Sequence, residues 1–223
     1  YTLTNAGDIL SVETGTGNFS IVGSVPDPAD PPSTQEQFSP NALGYFNDGI
    51  EEIFFATSFN KQGDEDFYVG FPDTTDQANL GTTGGASAAG AARGTESYTY
   101  FDRFQGGDLV TLNASGGEIG RVEDFLLKNG GEDTLGDLAF SRGGSDLYVS
   151  VGEELRRFTL DGSDNVVSSE TKDIDRFVGL AFDIDGGFWG VEANGGIWEI
   201  DFANAFADLT STIDLSDSRL ARP

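Results

Sequence analysis

The sequence predicts an all-β fold: β-propeller-like repeats of antiparallel four-stranded blades, four or five in number. Three observations lead there. A short alternating phrase recurs along the chain, Gly-rich turns follow most of its copies, and no segment carries apolar residues at helical spacing over ten or more positions. The phrase is an apolar residue, a small polar or acidic residue, an apolar residue, then Asp, Glu or Asn. It reads Leu10-Ser11-Val12-Glu13, Val110-Thr111-Leu112-Asn113, Phe158-Thr159-Leu160-Asp161 and Trp198-Glu199-Ile200-Asp201. Alternation at period two marks a strand with one buried face.

Each phrase has a predicted neighbour on either side. Before it come aromatic-rich runs at Tyr1 to Thr4, Tyr98 to Phe104, Leu147 to Val151 and Phe188 to Glu192. After it come outer strands such as Phe19 to Val25 and Glu118 to Val122. Joins such as Asn5-Ala6-Gly7 and Asn194-Gly195-Gly196 are hairpin signals. Apolar runs interleaved with small residues precede the aromatic strands: Ala42 to Phe46, Leu138 to Phe140 and Val178 to Phe182. Small residues suit an inner strand, where blades crowd an axis.

The spacing of the phrase is even late in the chain and about twice as wide between its first two copies. Either a degenerate blade lies near Ile53 to Phe71, or one blade carries a long insertion. The whole chain, 1–223, is expected to be one domain, with inserted loops at 26–40 (Pro-rich) and 74–95 (Gly, Ala, Thr and Ser-rich). Ile200 to Leu209 could support a single turn of helix. The first blade lacks an inner strand, so the ring is expected to be open or closed by another chain, and an open sheet edge invites pairing.

Composition narrows the chemistry. With 12 basic against 38 acidic residues the formal charge is −26. Phosphate backbones and anionic lipid surfaces are repelled, while cations and basic partners are attracted. No nucleic acid partner and no membrane insertion are expected; no apolar run nears the ~18 residues of a span. The chain has no Cys and no His. Zinc sites of the Cys/His kind, Ser-His-Asp triads and Cys-His pairs are therefore excluded. It also has no Met, which points to a processed or excised product. Processing, acidity and missing sulfur together point to an extracellular or cell-surface location.

Two segments resemble blade phrases of secreted bacterial propellers, the gluconolactonase-like and NHL-type groups. Gly136-Asp137-Leu138-Ala139-Phe140-Ser141 with Leu147-Tyr148-Val149 is similar to one phrase, and Val178 to Asp201 to another. Tyr1 to Gly23 resembles the blades of a further secreted group. The resemblance covers about half the chain and implies blade architecture. It also implies, for the lactonases, a divalent metal held by Glu, Asn and Asp near a central channel. Their Asn ligand falls on Gly136 here, with Asp137 beside it.

Four candidate sites remain. Asp183-Ile184-Asp185-Gly186 is a D-x-D-G turn whose carboxylates, Asp183 and Asp185, could hold calcium; its ordinary reading is a solvated hairpin turn. Asn18-Phe19-Ser20 and Asn113-Ala114-Ser115 are glycosylation acceptors, with Asn18 and Asn113 as the modified residues. Trp189 and Trp198 could stack on sugars, but their strand register predicts core packing. The leading expectation is a non-enzymatic extracellular structural or binding module with a protein partner or self-assembly. The alternatives are a metal-dependent lactonase-type hydrolase and a calcium-dependent adhesion domain.

Overall fold

The structure is a computed structural model that describes residues 1–3, 8–24, 39–47, 52–59, 65–70, 78–82, 87–94, 97–102, 107–125, 128, 135–174 and 177–213. The described chain folds as five consecutive antiparallel sheets. The first has three strands: β1 (Thr2–Leu3), β2 (Asp8–Val12) and β3 (Phe19–Ser24). The second holds β4 (Ser39–Asn47), β5 (Glu52–Phe59), β6 (Glu65–Gly70) and β7 (Ala78–Thr82). The third holds β8 (Ser87–Ala92), β9 (Ser97–Asp102), β10 (Asp108–Asn113) and β11 (Glu118–Val122). The fourth holds β12 (Leu135–Phe140), β13 (Asp146–Val151), β14 (Glu154–Leu160) and β15 (Val166–Asp173). The fifth holds β16 (Gly179–Phe182), β17 (Phe188–Val191), β18 (Gly196–Asp201) and β19 (Phe206–Thr212).

Strand order follows chain order in every sheet, so each is a meander of hairpins. The inner strands β4, β8, β12 and β16 contact one another in sequence. Separate apolar clusters fill the gaps between sheets. Ile9 with Phe54 joins the first pair, Phe55 with Tyr98 the second, Phe101 with Leu147 the third, and Tyr148 with Phe188 the fourth. Aromatic rings supply much of this contact: Tyr148 meets Phe188 at 4.7 Å and Phe202 edge-on at 5.3 Å between centroids.

The seam between the fifth and first sheets is built differently. The hydroxyls of Thr210 and Ser211 on β19 donate to the carbonyl of Thr14, at 2.9 and 2.5 Å. Gly17, in the same turn at φ +72°, lies so close that a Cβ would come within 2.3 Å of the Thr212 carbonyl oxygen. The last sheet thus reaches the first within one chain.

Several expectations change here. The segment 74–95 is not a loop throughout, for it contains β7 and the inner strand β8. Its small residues answer a packing demand: a Cβ on Gly90 would meet the Tyr98 hydroxyl at 2.0 Å. Of 26–40, Ser39 and Pro40 begin β4, and 26–38 lie outside the described residues. The degenerate blade near Ile53 to Phe71 is the second sheet. The turn of helix within 200–209 is replaced by a turn and β19. The first sheet does have one strand fewer than the others among the described residues.

The third sheet buries charge. Asp102 and Asp108 are 1% and 4% exposed. Arg121 answers both, donating to Asp108 Oδ2 at 2.8 Å with Asp102 at 3.7 Å, and the Asp124 amide donates to Asp108 Oδ1 at 2.8 Å. Two carboxylates are tolerated there because a guanidinium and a backbone donor satisfy them.

Candidate functional site: the central cavity

The inner strands surround a cavity of about 460 Å³. Small residues of the inner strands, Gly44, Ala91, Gly136, Ala139, Gly179 and Ala181, line it together with aromatic and polar side chains. The small residues let neighbouring backbones approach and leave the axis hollow. Towards the seam the wall includes Val12, Thr14, Val191, Ile197 and Ile213, on the side where the first sheet has three strands among the described residues.

One ionisable group belongs to the inner strands themselves. Asp137, the third residue of β12, lines the cavity. Its carboxyl Oδ2 accepts the Leu180 amide of β16 at 2.8 Å, and the amides of Leu138 and of Gly90 on β8 also donate to it. Asp137 therefore links three successive inner strands. What surface it exposes faces the cavity. Burial pushes its pKa up to about 8 and outweighs the three backbone donors, which act to lower it.

The charged groups of the lining other than Asp137 follow the inner strands. Arg93 follows β8, Arg142 follows β12 and Asp183 follows β16. Arg93 pairs with Asp164 and lies 5.0 Å over the ring of Phe140. Arg142 donates to the Ile184 carbonyl at 2.8 Å, tying the fourth sheet to the fifth.

Asp183 caps its own hairpin. Its Oδ1 accepts the amides of Asp185 and Gly187 at 3.0 and 2.7 Å, and its Oδ2 accepts the Trp189 indole N–H at 2.8 Å. Asp161 and Asn113 make the same bonds two and four residues ahead in their turns, to Ser163 and Asn165 and to Ser115 and Gly117. The D-x-D-G turn is thus one instance of a repeated Asx turn. Asp185 is exposed beside it. Among the described residues no three His, Cys, Asp or Glu side chains converge as a metal site would require.

Asn18 is exposed in the β2–β3 turn, while Asn113 is partly buried and spends its carbonyl on its turn. Of the two tryptophans, Trp198 packs against the fourth apolar gap and its indole N–H donates to Glu192 at 3.0 Å. Trp189 differs from its core expectation and lines the cavity. Asp137 is the residue that sequence reasoning undervalued. Its signal was an acid set in a small-residue inner strand, Leu135-Gly136-Asp137-Leu138-Ala139.

The Gly136 position also has a reason. A Cβ there would lie 2.0 Å from the Phe177 carbonyl oxygen, so no Asn could stand where the lactonase phrase places one.

Neither a family model nor a curated protein matches the chain. Solved structures do. Regucalcin from Agrobacterium tumefaciens, described as a calcium-binding protein, superposes with a TM-score of 0.52 at 12% identity, over 86% of this chain and 63% of that one. The similarity shows the β-propeller fold. An oligogalacturonate lyase in complex with manganese gives 0.49 at 8% identity, covering 95% and 61% of the two chains. This chain therefore spans less than two thirds of the length of either structure. Among the described residues no helix is long and apolar enough to cross a membrane.

Proposed function

We propose that this propeller is a non-catalytic extracellular binding module whose central cavity holds a small molecule. The observation that carries the reading is the cavity itself: about 460 Å³, lined by small, aromatic and polar residues, with one carboxyl held by three strands. A concave site with apolar surface and fixed polar groups suits binding and orientation of a ligand. The formal charge of −26 supports work in a salty external medium, where dense carboxylates keep a chain dispersed. Exposed apolar residues on outer strands, Ile21, Ile119, Val167 and Phe206, offer a partner chain some contact at the rim.

Lactonase-type hydrolysis is the rival reading, favoured by the resemblance of the Gly136 phrase. Against it stands the position where that family's Asn ligand would fall, which has no room for a side chain. The test is hydrolysis of δ-gluconolactone with calcium, manganese or zinc added, and with a chelator. Release of acid at the rate of the metal-only blank is expected. Turnover above the blank that drops about tenfold or more in Asp137→Asn, the loss expected for removing a proton-transfer group, contradicts the proposal.

A further inference from the structure

We propose, resting on the binding reading above, that the cavity takes a small organic cation, with an ammonium group at Asp137 and an apolar body against the aromatic part of the wall. The first ground is the valence of the carboxyl. Each hydrogen bond it makes among the described residues comes from a donor: the amides of Leu180, Leu138 and Gly90. An ionised carboxylate has about four acceptor sites, so three amides leave one open. Asp137 lines the cavity, and a cation placed there completes the ionised state.

The second ground is charge. The two guanidinium groups of the lining, Arg93 and Arg142, lie beyond the opposite ends of their inner strands and are engaged with Asp164 and with the Ile184 carbonyl. No described cationic side chain reaches Asp137. Ionising this partly buried carboxyl without a counter-charge is costly, and a bound ammonium offsets part of that cost. The field of a chain at −26 attracts cations to such a cleft and repels anions.

The third ground is the wall. Tyr1, Tyr45, Phe46, Phe140, Phe182 and Trp189 all line the cavity. The Arg93 guanidinium already covers the Phe140 ring, and the rings of the lining give an apolar substituent of the ligand a surface to pack on.

Three probes with one ring and different charge test this: benzylammonium, benzyl alcohol and benzoate, titrated calorimetrically into the full chain at pH 7. Benzylammonium is expected to bind about tenfold or more tightly than benzyl alcohol, and benzoate most weakly. Binding of benzylammonium is expected to release protons, read as a heat that changes between two buffers of different ionisation enthalpy; a purely structural Asp137 would not do this. Asp137→Asn is expected to lose about tenfold of the benzylammonium affinity while benzyl alcohol stays within about twofold. Should that variant not fold, the wild-type ranking and the proton release decide alone. Equal binding of the alcohol and the ammonium, or full ammonium affinity in Asp137→Asn, overturns the cation class and leaves cavity binding standing. Silence from all three probes also overturns it, and the broader binding reading is then judged on its own test.

Discussion

Asp137 shows how one residue can hold both structure and chemistry. It bonds to two neighbouring inner strands and faces the cavity, so its burial sets its protonation. The folded pKa, about 8, lies above the ordinary 3.8. Between those values the native state keeps a proton that the unfolded chain has lost. Stability from this group is complete below about pH 4 and falls as pH rises towards 8. The window is clean because the chain has no His and no Cys, and ordinary carboxylates finish titrating below about pH 5.5. Urea midpoints of the wild type are expected to fall between pH 5.5 and 7.5, while those of Asp137→Asn stay flat across the range. Parallel profiles would show that Asp137 is ionised throughout.

At the scale of elements, the inner strands are set by what they cannot carry. A Cβ on Gly136 would sit 2.0 Å from the Phe177 carbonyl, a backbone atom that moves only with its sheet. Gly136→Ala is therefore expected to cost about 3 kcal/mol in urea denaturation, at the upper end for overpacking. Gly162, with nothing within 4 Å of its would-be Cβ, is the control, and Gly162→Ala is expected within about 0.5 kcal/mol of wild type. Equal effects at the two positions would mean that the fourth and fifth sheets are less tightly apposed.

The same strands explain what was legible in the sequence. The strands β2, β10, β14 and β18 were plain because apolar and polar residues alternate in their sequences, even though β10 is buried on both faces. The inner strand β8, Ser-Ala-Ala-Gly-Ala-Ala, was read within a loop, because its composition answers crowding at the axis and carries no alternation. The carboxylates of the D-x-D-G turn drew attention by motif, yet their bonds are local. Asp137 sits in a blade phrase that marks architecture, and its partner Leu180 comes from a strand 43 residues away, which spacing does not display.

Among the described residues of the whole molecule, four junctions between sheets are apolar, while the fifth, from β19 to the first sheet, includes Thr210 and Ser211 against Thr14. The cavity reaches that seam through Val12, Ile197 and Ile213. Binding at the axis thus engages residues from all five sheets, and a ligand there links the seam to the rest of the ring.

The central claim is that the cavity receives small molecules, and saturation-transfer NMR tests it most directly. A panel of small ring compounds of each charge is compared on the wild type and on Val178→Trp. Val178 lines the cavity and is 44% exposed, so a larger side chain there occupies space without displacing core. The account predicts saturation transfer to at least one compound with the wild type and its loss with the folded variant. Transfer unchanged in Val178→Trp, or none with the wild type across the panel, would contradict it.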